Sequence, residues 1–188
     1  YLKKFIRQNP HISISISCQS TNDTLKLLED NKIDIGLIGK PENLKNIHFD
    51  FLEEIEDIFV AAKDYLRNLK ARGIQKDAIL QNSTLMLLDK HNMTRQYIDD
   101  YLQENQIIIK DSIDISDMDL LIDFARIGVG VACVIKNFVR EDLENGTLME
   151  IPLGFPIHKR EVGFAYKTTT KPSKSITEQR VASQLFAR

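Results

Sequence analysis

The chain of 188 residues has no tryptophan and only five tyrosines, so nothing points to a large aromatic-lined pocket. Its two cysteines, Cys18 and Cys133, each lie in an apolar, strand-like stretch. They are expected to be buried free thiols in a reducing compartment. No apolar run approaches the ~20 residues that a membrane span needs. No run of Lys or Arg stands out, and the formal net charge is −2. A free-standing nucleic-acid binder usually carries a basic face. If DNA is a partner, another part of the protein must touch it. The four histidines, His11, His48, His91 and His158, share no helix face and no short spacing, so no metal site is expected. The G-x-S-x-G, P-loop and G-x-G-x-x-G signatures are missing. Gly128-Val129-Gly130 lacks the third glycine and follows a helix, which makes it a helix stop rather than a dinucleotide loop. No cofactor is indicated.

What is present is a globular composition, 43% hydrophobic and 28% charged, long enough for one large domain or two small lobes. The chain begins at Tyr1, inside a helical pattern, and is expected to be a segment of a longer protein. Leu2, Phe5 and Ile6 share one helical face, and Pro10 ends that helix. His11 to Ser17 alternates isoleucine with serine and predicts a half-buried strand. Thr21 is expected to cap a helix to about Asp30, with Asn31 taking a left-handed exit. Ile33–Ile38 predicts the next strand. This helix–strand alternation is the grammar of a parallel sheet. Further along, strands are expected at 54–62, 85–88, 107–115, 129–135, 148–153 and 161–166. Helices are expected at 64–72, after a Thr94 cap, after a Ser116-x-x-Asp119 capping signal, at 138–144 and at 175–186.

Carboxylates are many and scattered. Asp99, Asp100, Asp111, Asp114, Asp117 and Asp119 read more simply as helix-start and surface charges than as an acid–base pair. Two segments suit a ligand better. Ser20-Thr21-Asn22 and Asp89–Thr94 each follow a strand and open a helix, where free N–H groups sit beside short polar side chains. Plain N-capping explains the same residues. The 117–127 helix is unusual because only Asp117, Asp119, Asp123 and Arg126 are polar. Either it is deeply buried, or a second apolar face meets another subunit.

Four segments together carry a resemblance to the effector-binding domain of LysR-type transcription regulators. Leu2-x-x-Phe5 with Asn9-Pro10 and the alternating strand resembles the domain's opening. Leu27–Ile38, with Asn31 near the usual Gly, resembles its "LL-x-G-x-LDLAI" segment. Ala125–Ala132 is similar to "V-x-x-GLGIA", and Leu143-x-x-Gly146-x-Leu148 to "L-x-x-G-x-L". The order is right and the segments span nearly the whole chain.

The resemblance implies a periplasmic-binding-protein-like type II fold, with two Rossmann-like α/β lobes joined by two crossover strands and a ligand cleft between them. Lobe I is then 1–57 plus 162–188, and lobe II is 58–161. The family's first strand and its winged helix-turn-helix DNA-binding domain would both precede Tyr1. An effector site is implied at Ser20, Thr21, Asn22, Asn92, Met93, Thr94 and Gly130. Helix starts suit a small anionic effector, and Lys90 and Arg95 could add charge. An antiparallel homodimer, or a tetramer in the full-length protein, would use Leu2, Phe5, Ile14, Leu121 and Phe124. The implied function is a cytoplasmic sensor, not an enzyme, that touches DNA only through the absent domain. A transporter's solute-binding protein shares the fold and stands as the alternative. An enzyme on the same fold would need a convergent acid–base pair, and none is legible.

Overall fold

A computed structural model describes residues 6–11, 13–41 and 43–168. By contact the chain divides into two units, Tyr1–Glu53 with Val162–Arg188, and Glu54–Glu161. The fold class is the expected one, α/β with a sheet in each unit.

The first unit holds α1 (Thr21–Glu29), β1 (Gly36–Gly39), most of β2 (Ile47–Ile55) and most of β8 (Arg160–Lys167). The strands order β1-β8-β2, and β1 pairs β8 antiparallel with Gly36 opposite Ala165. The core is small: Leu28 from α1 packs with Ile38, Ile47 and Ala165, flanked by Leu25, Ile33 and Phe49. Asn31 takes a φ of 56° at the exit of α1, as expected. The expected half-buried strand over 11–17 is corrected. Residues 13–20 have no strand assignment and 13–19 are exposed, Ile16 at 74%. Alternation supplies a face, but a strand also needs a neighbour to bond its backbone groups. Among the described residues none pairs with this segment. Cys18 is exposed for the same reason, while Cys133 is buried as expected. The helix expected to open the chain is seen only at its end, residues 6–8; Leu2 and Phe5 lie outside the described residues, as does the expected helix at 175–186.

The second unit holds β3 (Asp57–Ala62), α2 (Lys63–Ala71), α3 (Ile79–Asn82), β4 (Thr84–Leu88), α4 (Met93–Glu104), β5 (Asp111–Ile115), α5 (Met118–Arg126), β6 (Val131–Ile135), α6 (Arg140–Asn145) and β7 (Leu148–Glu150). Its sheet orders β5-β4-β6-β3-β7. β4 pairs parallel with β5 and β6, whereas β3 pairs antiparallel with β6 and β7. The sheet is mixed rather than purely parallel, because β3 enters from the other unit and runs against its neighbours.

β3, β4 and β6 are buried on both faces, as continuous apolar runs require. One face packs α2 and α4 through Leu69, Ile98, Tyr101 and Leu102. The other packs α5 through Leu121, Ile122 and Ala125. Gly128, at φ 78°, closes α5 by taking the left-handed conformation that a side chain disfavours.

The wide apolar arc of α5 divides in two. Leu121 is fully buried in the unit's own core, and Phe124 and Met118 are partly buried against it. The exposed remainder is Leu120 and, just past the helix, Ile127 at 74%. Leu121 therefore cannot be a subunit contact. Its side chain points at the sheet, one helical step from the face that reaches solvent.

Candidate effector site: two helix starts

The first turn of α1 is organised by Ser20, not by Thr21. Ser20 is the N-cap, with extended backbone, and its hydroxyl oxygen accepts from the Asp23 N–H at 3.2 Å. The same hydroxyl donates to Asp23 Oδ2 at 2.7 Å. Thr21 and Asn22 are then the first two helical residues, both half-buried. Their N–H groups have no acceptor one turn back inside the helix.

The start of α4 follows the same rule, shifted by two residues from expectation. Asn92, not Thr94, is the N-cap, and its Oδ1 accepts from the Thr94 N–H at 2.9 Å. The preceding turn is closed by the Asn92 N–H donating to the Asp89 carbonyl at 3.0 Å. The His91 N–H donates to Asp89 Oδ1 at 3.0 Å. Met93, Thr94 and Asn92 are half-buried. The N–H groups of Met93 and Arg95 have no intrahelical acceptor, so two donors and a positive dipole end remain at this turn. A third cap is displaced by one residue in the other direction: Asp117, not Ser116, opens α5 and accepts from the Leu120 N–H at 2.9 Å.

Arg95 is not the solvent-facing charge that a reading of its neighbours suggests. It is 7% exposed. Its Nε donates to Asp99 at 2.8 Å, and one guanidinium NH₂ group donates to Asp114 at 2.5 Å and to the Leu88 carbonyl at 2.9 Å. Burial alone would lower its pKa. Its hydrogen bonds to Asp99 and Asp114, with the attraction of their charges, together outweigh that and raise it. The cation is thus spent on tying the first turn of α4 to the ends of β4 and β5. Lys90 is exposed, and its carbonyl accepts from Gln96 Nε2 at 3.5 Å.

Gly130 does not join the α4 turn. It stands at the N-terminal end of β6, beside Thr84 at the start of β4, whereas Asn92 follows the C-terminal end of β4. Five strand residues separate the two ends, roughly 13 Å at 3.3 Å per residue. The glycine has a structural cause instead: a Cβ there would overlap the Thr84 carbonyl oxygen. Of the residues expected in one site, the structure brings together Ser20, Thr21 and Asn22 in the first unit, and Asn92, Met93 and Thr94 in the second. A surface depression lined by Asp119, Ile122, Asp123, Arg126 and Phe138 runs along α5, not along α4. Among the described residues no cluster of His, Cys, Asp or Glu could hold a metal, and no helix is long and apolar enough to cross a membrane.

Sequence reasoning missed three buried charges among the described residues: Arg95, Asp57 and Asp142, the last held by Arg126. The signal for Arg95 was its i, i+4 spacing from Asp99 on a helix. For Asp57 it was a carboxylate opening the unbroken apolar run Ile58–Ala62, a place where a charge needs a partner. That partner is Arg160, whose Nε and second guanidinium nitrogen donate to the two carboxylate oxygens at 2.6 and 2.9 Å.

The chain is built of two α/β units, each with a capped helix start, the one in the second unit following β4. The LysR substrate binding domain family model matches residues 1–179, and the chain belongs to that family. The HTH-type transcriptional regulator YeiE of Escherichia coli K12 is 22% identical over 156 residues, 82% of this chain and 52% of that protein. The chain thus spans about half the length of the curated relatives it matches. The regulatory domain of HypT from Salmonella typhimurium shares the fold, with TM-score 0.79 and 17% identity over 99% of this chain and 88% of that one. So does the regulatory domain of CcmR from Synechocystis PCC6803, solved in complex with 2-PG, with TM-score 0.79 and 14% identity over the same shares, 99% and 88%.

Proposed function

We propose that this chain is the sensing part of a LysR-type transcription regulator that binds a small anionic metabolite. The observation that carries the reading is the pair of organised helix starts, Ser20–Asn22 and Asn92–Thr94. Each caps one N–H with its own side chain and leaves others for a ligand. A carboxylate or a phosphate ester answers such donors and their dipoles. Because Arg95 is committed internally, the charge complement comes from N–H groups rather than from a salt bridge. In the full-length protein, DNA is touched by a winged helix-turn-helix outside this chain. The protein works in the cytoplasm as a homodimer and performs no catalysis. Around α5 the contact falls to Leu120 and Phe124 and to Ile127 just past the helix, with Ile14 on the other unit. Effector binding acts through its difference in affinity between two arrangements of the dimer.

Calorimetric titration of a panel of small carboxylates and phosphate esters tests this reading. At least one should bind, and Thr94→Val should weaken it by about 1–3 kcal/mol, since the hydroxyl goes while the shape stays. A best ligand that is cationic or wholly apolar, or an unchanged affinity in Thr94→Val, would overturn it.

A further inference from the structure

Asp57 opens β3 just after the chain leaves the first unit, and Arg160 opens β8 just before the chain returns to it. These two residues stand at the two points where the backbone passes between units, and they hold each other. The Asp57 side chain is 0% exposed and that of Arg160 is 15% exposed. Both guanidinium–carboxylate bonds are short, at 2.6 and 2.9 Å, a planar fork that resists twisting. Such a pair is seldom a stability device, because apolar residues pack as well at lower desolvation cost.

A second contact gives the pair a connection. The Arg160 guanidinium carbon lies 5.3 Å from the ring centroid of Tyr97. The Tyr97 hydroxyl donates to the carbonyl of His158, two residues before Arg160, at 2.8 Å. Tyr97 belongs to α4, about one turn beyond the Asn92–Thr94 helix start, roughly 6 Å along the axis at 1.5 Å per residue. The start of α4 is itself tied to the ends of β4 and β5 by Arg95. α4 thus carries the ligand turn at its head and presses on the Arg160–Asp57 fork one turn later.

We propose that Arg160 is a positioning residue that couples the first turn of α4, through Tyr97, to the two strand segments by which the chain passes between its units. The proposal rests on the effector reading only for the nature of the input. The coupling itself belongs to the ligand-free chain. A small tilt of α4 on ligand binding moves the Tyr97 ring against the guanidinium. The fork transmits that shift to Asp57 and so to both crossover segments together.

The test is hydrogen exchange by mass spectrometry on the whole chain, comparing wild type with Tyr97→Leu, Tyr97→Phe and Arg160→Lys. Tyr97→Leu removes the ring contact, and with it the hydroxyl bond to His158 that Tyr97→Phe also removes, while leaving the sequence of both crossovers unchanged. Exchange at 54–57 and 159–162 should rise about fivefold, equivalent to ~1 kcal/mol at 1.36 kcal/mol per factor of ten. The β4 and β6 amides should keep wild-type rates, which a general loss of stability would not allow. Tyr97→Phe keeps the stacking ring and should stay near wild type at 54–57. Arg160→Lys keeps the charge but loses fork and stack. It should reproduce the local rise, and the double variant Tyr97→Leu/Arg160→Lys should exceed the larger single effect by little. A rise confined to α4, an equal rise across the whole unit, or full additivity in the double variant would each overturn the proposal. A second arm adds inorganic phosphate and the best-binding acid from the calorimetric panel. A bound anion should slow exchange at 54–57 in wild type but not in Tyr97→Leu, and equal slowing in both would also overturn the relay. If no anion binds at any concentration, the effector reading fails while the ligand-free comparison still decides the coupling.

Discussion

Replacing Gly130 with alanine adds one methyl group, and the structure says where that methyl must go. The new Cβ would overlap the Thr84 carbonyl oxygen and sit 3.3 Å from Met86 Cγ. The first obstacle is backbone, held in β4 between β5 and β6, so it cannot swing aside as a side chain would. Relief requires β6 to pull away from β4, which loosens the pairing of Leu85 with Val131 and of Met86 with Ala132. All four of these residues are at 0% exposure, so the displaced strands carry the most deeply packed side chains of the unit. Overpacking of a tight core costs about 1–3 kcal/mol. A backbone obstacle places this case in the upper half of that range, about 2–3 kcal/mol. At roughly 2–4 °C per kcal/mol for a chain of this size, the unfolding midpoint should fall by about 4–12 °C. Thermal unfolding followed by circular dichroism measures this, and urea denaturation checks that the change is in stability rather than in the unfolded state. Anion affinity measured below the transition should stay within about twofold, because Gly130 lies at the far end of β4 from the α4 turn. A Gly130→Ala chain as stable as wild type but with affinity lost would refute the reasoning, and would return Gly130 to the ligand site.

Three further outcomes are expected. A disulfide reagent should label Cys18 quickly in the native chain and Cys133 only on unfolding, because Cys18 is exposed while burial holds the Cys133 thiol well above its ordinary pKa; equal labelling rates would contradict the burial described. Burial raises the pKa of Tyr101, whose hydroxyl donates to the Phe155 carbonyl at 2.5 Å, and burial likewise raises that of Tyr97. A raised pKa in the folded state means stability that is complete below the ordinary tyrosine value of about 10 and lost as pH rises through the folded value. Urea midpoints should therefore drop above pH 10, and less steeply in Tyr101→Phe; identical slopes would remove Tyr101 from that account. Leu120→Glu should shift the chain toward monomer in sedimentation while leaving it folded, whereas Leu121→Glu should abolish folding, since a charge cannot be buried unpaired in the α5–sheet core; a folded monomer from Leu121→Glu would reverse the assignment of faces.

What could be read from residues alone followed the range of the physics involved. The buried strands of the second unit are continuous apolar runs, and their existence was plain; β4 was set one residue short, and the other strands of that sheet two to four residues too wide at one end. Apolar sequence, not burial, runs past the last ladder bond: Val129 and Ile108 are exposed. Helix starts were located but their caps were misassigned by one or two residues, because Ser20, Thr21 and Asn22 are all competent caps and only backbone geometry chooses among them. The strand expected over 11–17 failed for a different reason: alternation reports a face, not a partner. β2 was missed before residue 54, although Ile47, Phe49 and Phe51 alternate with polar residues, because a sheet edge with charges on both faces gives a weak signal. The Asp57–Arg160 pair spans 103 residues, and no local pattern carries information over that distance.

The effector reading is tested most directly by amide chemical-shift mapping of the isotopically labelled chain during titration with the best acid from the calorimetric panel. The account predicts saturable shifts concentrated at the Thr21 and Asn22 amides and at those of Met93, Thr94 and Arg95, with Gly130 unmoved. Saturable shifts elsewhere, with both helix starts unchanged, would contradict it.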